Sequence, residues 1–95
     1  MFVVLLRFSE NKARAAELME SHKAWIKRGF DDGVFLLVGG LQPNAGGGIV
    51  AHNTSLTALQ DRVNDDPFVA EKVVSADIVE IAPSRAVAPL QFLLA

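Results

Sequence analysis

The chain has 95 residues, enough for one domain and not for two. Hydrophobic residues make up 51% of it, charged residues only 21%, and the formal net charge is −2 at pH 7. This excludes a disordered chain, and the lack of cysteine excludes a disulfide scaffold, a thiolate zinc site and a cysteine nucleophile.

Residues 2–8, Phe2-Val3-Val4-Leu5-Leu6-Arg7-Phe8, are short, β-branched and aromatic-rich, which predicts a strand ending at Ser9. Arg7 interrupts the opening apolar run, no basic segment precedes it, and no stretch of about 20 apolar residues follows, so a soluble, cytoplasmic chain with no membrane contact is expected. Ser9 is a candidate N-cap for a helix starting near Asn11, with Lys12 where a capping box would want Glu. The period then changes. Ala15, Leu18, Met19, His22, Trp25, Ile26, Gly29 and Phe30 recur at helical spacing and form one apolar stripe. Asp31-Asp32-Gly33 ends the helix, Gly33 being suited to the left-handed conformation that closes a last turn.

Residues 34–38 predict a second strand, residues 39–48 (GGLQPNAGGG) a turn-rich loop, and residues 49–52 a short third strand. Thr54 or Ser55 can cap a second helix carrying Leu56, Leu59 and Val63. Asp66 before Pro67 reads as the N-cap of a further short helix. Residues 73–82 form the fourth strand and Pro83 ends it. Residues 1–95 are expected to form one domain, with the apolar tail, residues 84–95, docking on a partner protomer.

The order βαββαβ predicts an α+β, ferredoxin-like fold: a four-stranded antiparallel sheet with the helices on one face. Alternation sends Phe2, Val4, Leu6 and Phe8 to one face and Val3 and Leu5 to the other, and sets Val34, Leu36 and Val38 against Phe35 and Leu37. A sheet with one wet face alternates apolar with polar residues, and this one barely does. A chain this size hides only about 60–65% of its unfolded surface alone. The face without helices is therefore expected to meet the same face of a second copy, making a homodimer.

Two residues could carry chemistry. His22 stands in the middle of the apolar stripe and points at the sheet. It is either a neutral core histidine or an imidazole in a semi-enclosed cavity, where an ordinary pKa of about 6.5 suits proton transfer near neutral pH. Asp66 either only caps a turn or also reaches His22, because both helices lie on one sheet face. In the second case it would orient the ring and stabilise the imidazolium.

With His22 mid-helix, Asp31-Asp32-Gly33 at its exit, the run LLVGG ending at Gly40, Pro43, and Asp66-Pro67-Phe68-Val69-Ala70, the chain resembles the YciI-like (YCII-related) family of the dimeric α+β barrel superfamily, over nearly its whole length to Pro83. The resemblance implies a homodimer whose sheets meet face to face, and an active-site His–Asp pair in each protomer at His22 and Asp66. It extends to small lyase-like or isomerase-like enzymes acting on aromatic breakdown products, including dehydrochlorination of hydroxyquinol-type rings. Many members carry Arg three residues before the helical His, where this chain has Met19. Arg7 is the candidate replacement, and Arg7, Gly40, Pro43 and Phe68 are the candidate substrate-binding residues.

Other patterns are weaker. Gly46-Gly47-Gly48 leads into a strand and lacks the Lys-Ser/Thr of a phosphate-binding loop, so a hairpin lining the cleft is expected instead. His22 and His52 show no metal-ligand spacing, and no cofactor motif is present. Residues 28–35 (RGFDDGVF) match an RNA-recognition signature only at their ends and span a helix terminus, so no nucleic-acid partner is expected. Three functions stay open: a cofactor-free acid–base enzyme acting by elimination or isomerisation on a small, cyclic or aromatic metabolite, a small-molecule binding or sensor module, and an interaction protein.

Overall fold

Alternation along β1 (Phe2–Phe8) decides which sheet face becomes core: Phe2, Val4 and Leu6 are buried, Val3 and Leu5 half-buried, and Arg7 exposed. The computed structural model describes residues 1–94. β1 is followed by α1 (Ala15–Asp31), β2 (Phe35–Leu41), β3 (Gly46–Ala51), α2 (Leu56–Asn64), α3 (Pro67–Ala70) and β4 (Val74–Glu80). The strands pair antiparallel in the order β2-β3-β1-β4, which is the ferredoxin-like βαββαβ arrangement. Trp25 from α1, Leu59 and Val63 from α2 and Phe68 from α3 join Phe2, Val4, Leu6, Ile49, Ala51 and Val74 in one core. The helices thus cover one face only. Burying each large side chain there contributes about 1.5–3 kcal/mol.

Caps and turns follow the local chemistry. Ser55 caps α2, its hydroxyl accepting from the Ala58 N–H at 3.1 Å. Asp66 caps α3, with Pro67 in the first turn. Gly33 adopts φ +73° and closes α1 through its N–H to the Phe30 carbonyl, while the Val34 N–H bonds the Gly29 carbonyl. Trp25 Nε1 donates to the Arg62 carbonyl at 2.9 Å, tying α1 to the end of α2, where that carbonyl also accepts the Asp65 N–H. Among the described residues no helix is long and apolar enough to cross a membrane.

Four local expectations are corrected. Ser9 does not cap α1: its N–H and that of Asn11 bond the carbonyls of Val73 and Lys72, so the chain runs beside the start of β4 and enters α1 through a 3-10 turn at Lys12–Arg14. The glycine-rich stretch is not a loop but the ends of β2 and β3, with Gly39 opposite Gly48 and Gly40 opposite Gly47. Only residues 42–45 turn, because ladder hydrogen bonds to a neighbouring strand outweigh glycine's low strand propensity. A bulge between Phe35 and Leu37 interrupts alternation, so Phe35 shares the core-side face with Val38, and Val34, just before the strand, is buried as well. The apolar stripes are also narrower than their spacing implies, since Phe30 and Leu56 are exposed.

The opposite face stays uncovered in the single chain. Its middle row runs Leu37, Val50, Val3 and Val79 across all four strands, and Leu37 is 58% exposed. Residues 84–94 leave β4 and end in a 3-10 helix at Ala88–Leu93, where the Phe92 ring meets the His52 ring edge-on at 5.4 Å. Val87, Leu90 and Phe92 remain exposed.

Candidate active site

α1 carries His22 to the sheet at mid-helix, and the short α3 crosses close to it. The His22 Nδ1 lies 2.7 Å from Asp66 Oδ1. The Phe68 N–H donates to the same oxygen at 3.0 Å, as an N-capping carboxylate requires. Asp66 is fully buried and its Oδ2 has no partner among the described residues, so the bonds they make to the carboxylate run through the oxygen that faces His22. An ionised carboxylate only accepts, so Nδ1 is the nitrogen that carries the proton in this pair. Nε2 is left as the basic nitrogen of the neutral ring.

The imidazole is held by more than one bond. The Phe68 ring stacks on it with 3.9 Å between centroids and 3° between planes, and Trp25 lies near-parallel at 5.9 Å. Only 13% of the His22 side chain is exposed. That exposed part contributes to a cavity of about 280 Å³. Leu6, Phe8, Met19, Ile26, Phe68 and Val74 form its apolar walls, Gly46 and Gly47 one edge, and His22 and Lys23 are its ionisable groups. Gly46 is required at that edge: with φ +130°, a Cβ there would lie 1.8 Å from the Leu6 carbonyl oxygen. The volume falls just below the range of about 300–1,000 Å³ for drug-sized ligands, so the space suits a single ring.

The site residues expected from sequence divide. His22, Asp66 and Phe68 come together, with Phe68 acting as a platform for the imidazole as well as a wall. Arg7 points to the opposite sheet face, 3.9 Å from Asp77, because it alternates with Leu6 and Phe8. Gly40 shares the helix-side row with Gly47 but stands one strand beyond the lining, and Pro43 lies in the turn at residues 42–45. His52 is at the other end of the sheet, in a wider hollow of about 450 Å³ with Met1, Glu80 and Phe92. Among the described residues that hollow holds no bonded acid–base pair, so the smaller one beside His22 is the stronger chemical candidate. Lys23 was missed by sequence reasoning. It follows the stripe residue Met19 by four positions, the one signal that could have put it on the cavity rim.

A family model described as the YCII-related domain matches residues 1–83. Among solved structures, the chain is similar to the 5-chloro-2-hydroxyhydroquinone dehydrochlorinase of Burkholderia phenoliruptrix AC1100, solved in complex with 2,5-dihydroxybenzoquinone. The TM-score is 0.68 at 12% identity, over 85% of this chain and 93% of that one, a likeness of fold. A search of curated proteins finds no match.

Proposed function

The chain belongs to the YCII-related family, and from that premise we propose that it is a small acid–base enzyme in which His22, oriented by Asp66, moves protons on a small cyclic or aromatic metabolite. One observation carries this reading: a fully buried carboxylate bonds Nδ1 of an imidazole whose other nitrogen belongs to a ring lining an apolar cavity of single-ring size. Burying a carboxylate costs several kcal/mol unless it is paired, and this one is partnered by the ring and by one backbone N–H. The dehydrochlorinase of similar fold supports the choice of elimination over other proton-transfer reactions.

In such an elimination Nε2 takes a proton from an acidic C–H or O–H of the substrate. The freed electron pair forms the new double bond, and the leaving group departs with the electrons of its own bond. The imidazolium, stabilised by Asp66 while it exists, then releases its proton to the leaving group or to water, which returns the neutral ring. Isomerisation needs only that the proton return to another position of the same substrate.

The reading includes a homodimer formed through the open sheet face, supported by the apolar row Leu37, Val50, Val3 and Val79, whose end members Leu37 and Val79 stay exposed among the described residues. The exposed tail side chains Val87, Leu90 and Phe92 would cover part of the partner.

The test is a screen of chlorinated and hydroxylated aromatics, lactones and enol–keto acids with the purified protein, with His22→Gln and Asp66→Asn as controls. Turnover that both variants lose while remaining folded supports the enzyme. Saturable binding without turnover of any compound would replace it with a binding module.

A further inference from the structure

The cavity beside His22 has a second ionisable group that the proposed proton transfer does not use. Lys23 lines it from the next position of α1, among walls that are otherwise apolar or glycine. The other lysines are engaged: Lys27 pairs with Asp31 at 2.6 Å, Lys72 with Glu10 at 3.6 Å, and Lys12 lies over the Phe8 ring at 4.5 Å. Among the described residues no carboxylate lies within ion-pair distance of Lys23, Glu20 one turn before it included. Asp66, which bonds the lining residue His22, is fully buried.

We infer that Lys23 is the specificity-determining residue of this site, and that its ligand is a small planar molecule with a largely apolar body and one anionic oxygen group. The inference rests on the cleft being a small-molecule site and adds the charge of what enters it. Each part of the ligand follows from a feature of the cavity. About 280 Å³, with Phe8 and Phe68 among the lining residues, admits one ring and little more. Lys23 is exposed at the cavity rim, and its ammonium, with no ion-pair partner among the described residues, complements one negative charge on a ligand that enters. Lys is a point charge on a flexible stem, so it can follow a carboxylate or a phenolate oxygen without bidentate geometry. An oxygen anion held there keeps the ring within reach of His22, and the same ammonium stabilises any further negative charge that develops when Nε2 removes a proton.

Two probe pairs test this, each an anion and a neutral molecule of similar shape: benzoate with benzamide, and para-nitrophenolate with nitrobenzene. Binding is followed by the NMR signals of the His22 ring in the full-length protein. Both anions are expected to bind at least about tenfold more tightly than their neutral counterparts. Lys23→Gln should remove that preference, Lys23→Arg should keep it, and Lys27→Gln, which alters a charge on the same helix that pairs with Asp31 and does not line the cavity, should leave it unchanged. Equal binding of anion and neutral molecule, or a preference that survives in Lys23→Gln, overturns the role of Lys23 and leaves the cleft standing as a small-molecule site. If no probe perturbs the His22 ring, the small-molecule reading fails and the inference fails with it.

Discussion

The Phe68 ring lies flat on the His22 imidazole, 3.9 Å between centroids and 3° from parallel, while the Phe68 backbone N–H donates to the carboxylate that also bonds that imidazole. One turn of α3 therefore supplies both the charge and the platform. Asp66 caps the turn, and its capping oxygen is the one that faces His22. Local helix chemistry and site chemistry share an atom here, so substitutions at Asp66 separate the two roles.

Asp66→Asn keeps an oxygen that can accept the Phe68 N–H. Its stability, by urea unfolding, should fall by no more than about 1 kcal/mol, while turnover falls by about 100-fold or more because the imidazolium loses its counter-charge. Asp66→Ala loses the cap as well and should cost about 1–2 kcal/mol more. If Asp66→Asn kept the turnover of the unmodified protein, the carboxylate's charge would have no role beyond the cap.

The hydrogen-bond network assigns the proton to Nδ1 in the neutral ring. Nitrogen NMR of His22 should show Nδ1 protonated and Nε2 bare. A reaction that uses Nε2 as base needs the neutral ring. The opposite tautomer, with Nδ1 bare and Nε2 protonated, would remove Nε2 as the base.

Gly46 and Gly47 are adjacent but respond differently to a side chain. A Cβ at Gly47 meets only the Gly39 carbonyl oxygen, at 3.6 Å, which is ordinary contact. Gly47→Val should keep stability within about 1 kcal/mol yet fill the cavity edge and abolish ligand binding. Gly46→Ala combines a positive φ with a clash at 1.8 Å, and should lower stability by about 3 kcal/mol or more. Ligand binding unchanged in Gly47→Val, measured by calorimetry, would move the site elsewhere.

The open sheet face gives the fourth prediction. Light scattering at micromolar concentration should return twice the chain mass for the unmodified protein. Leu37→Glu and Val79→Glu should return the single-chain mass with little loss of secondary structure, because both side chains are already exposed in one chain. A monomeric mass for the unmodified protein would remove the dimer.

Much of this was legible along the chain. The helical stripe brought His22 to the sheet face, and the Asp66-Pro67 pair announced a cap, since both signals are local and periodic. The extent of β2 and β3 was not legible. Glycine discourages strands in isolation, and only the ladder between Gly39 and Gly48 and between Gly40 and Gly47 holds the chain extended there. Arg7 was an intermediate case. Alternation grouped it with Val3 and Leu5, but which of the two faces carries helices is a property of the packed sheet.

By itself, then, the sequence determined the order of elements, the burial of one histidine on an apolar stripe and the cap at Asp66, because each depends on residues within a turn or two of one another. The tertiary structure alone decided that the capping oxygen meets an imidazole 44 residues away, that Phe68 stacks on it, and that Lys23 borders the same cavity. Those contacts depend on how α1 and α3 settle on the sheet, and distances of a few ångströms between distant segments are set by packing, not by spacing along the chain.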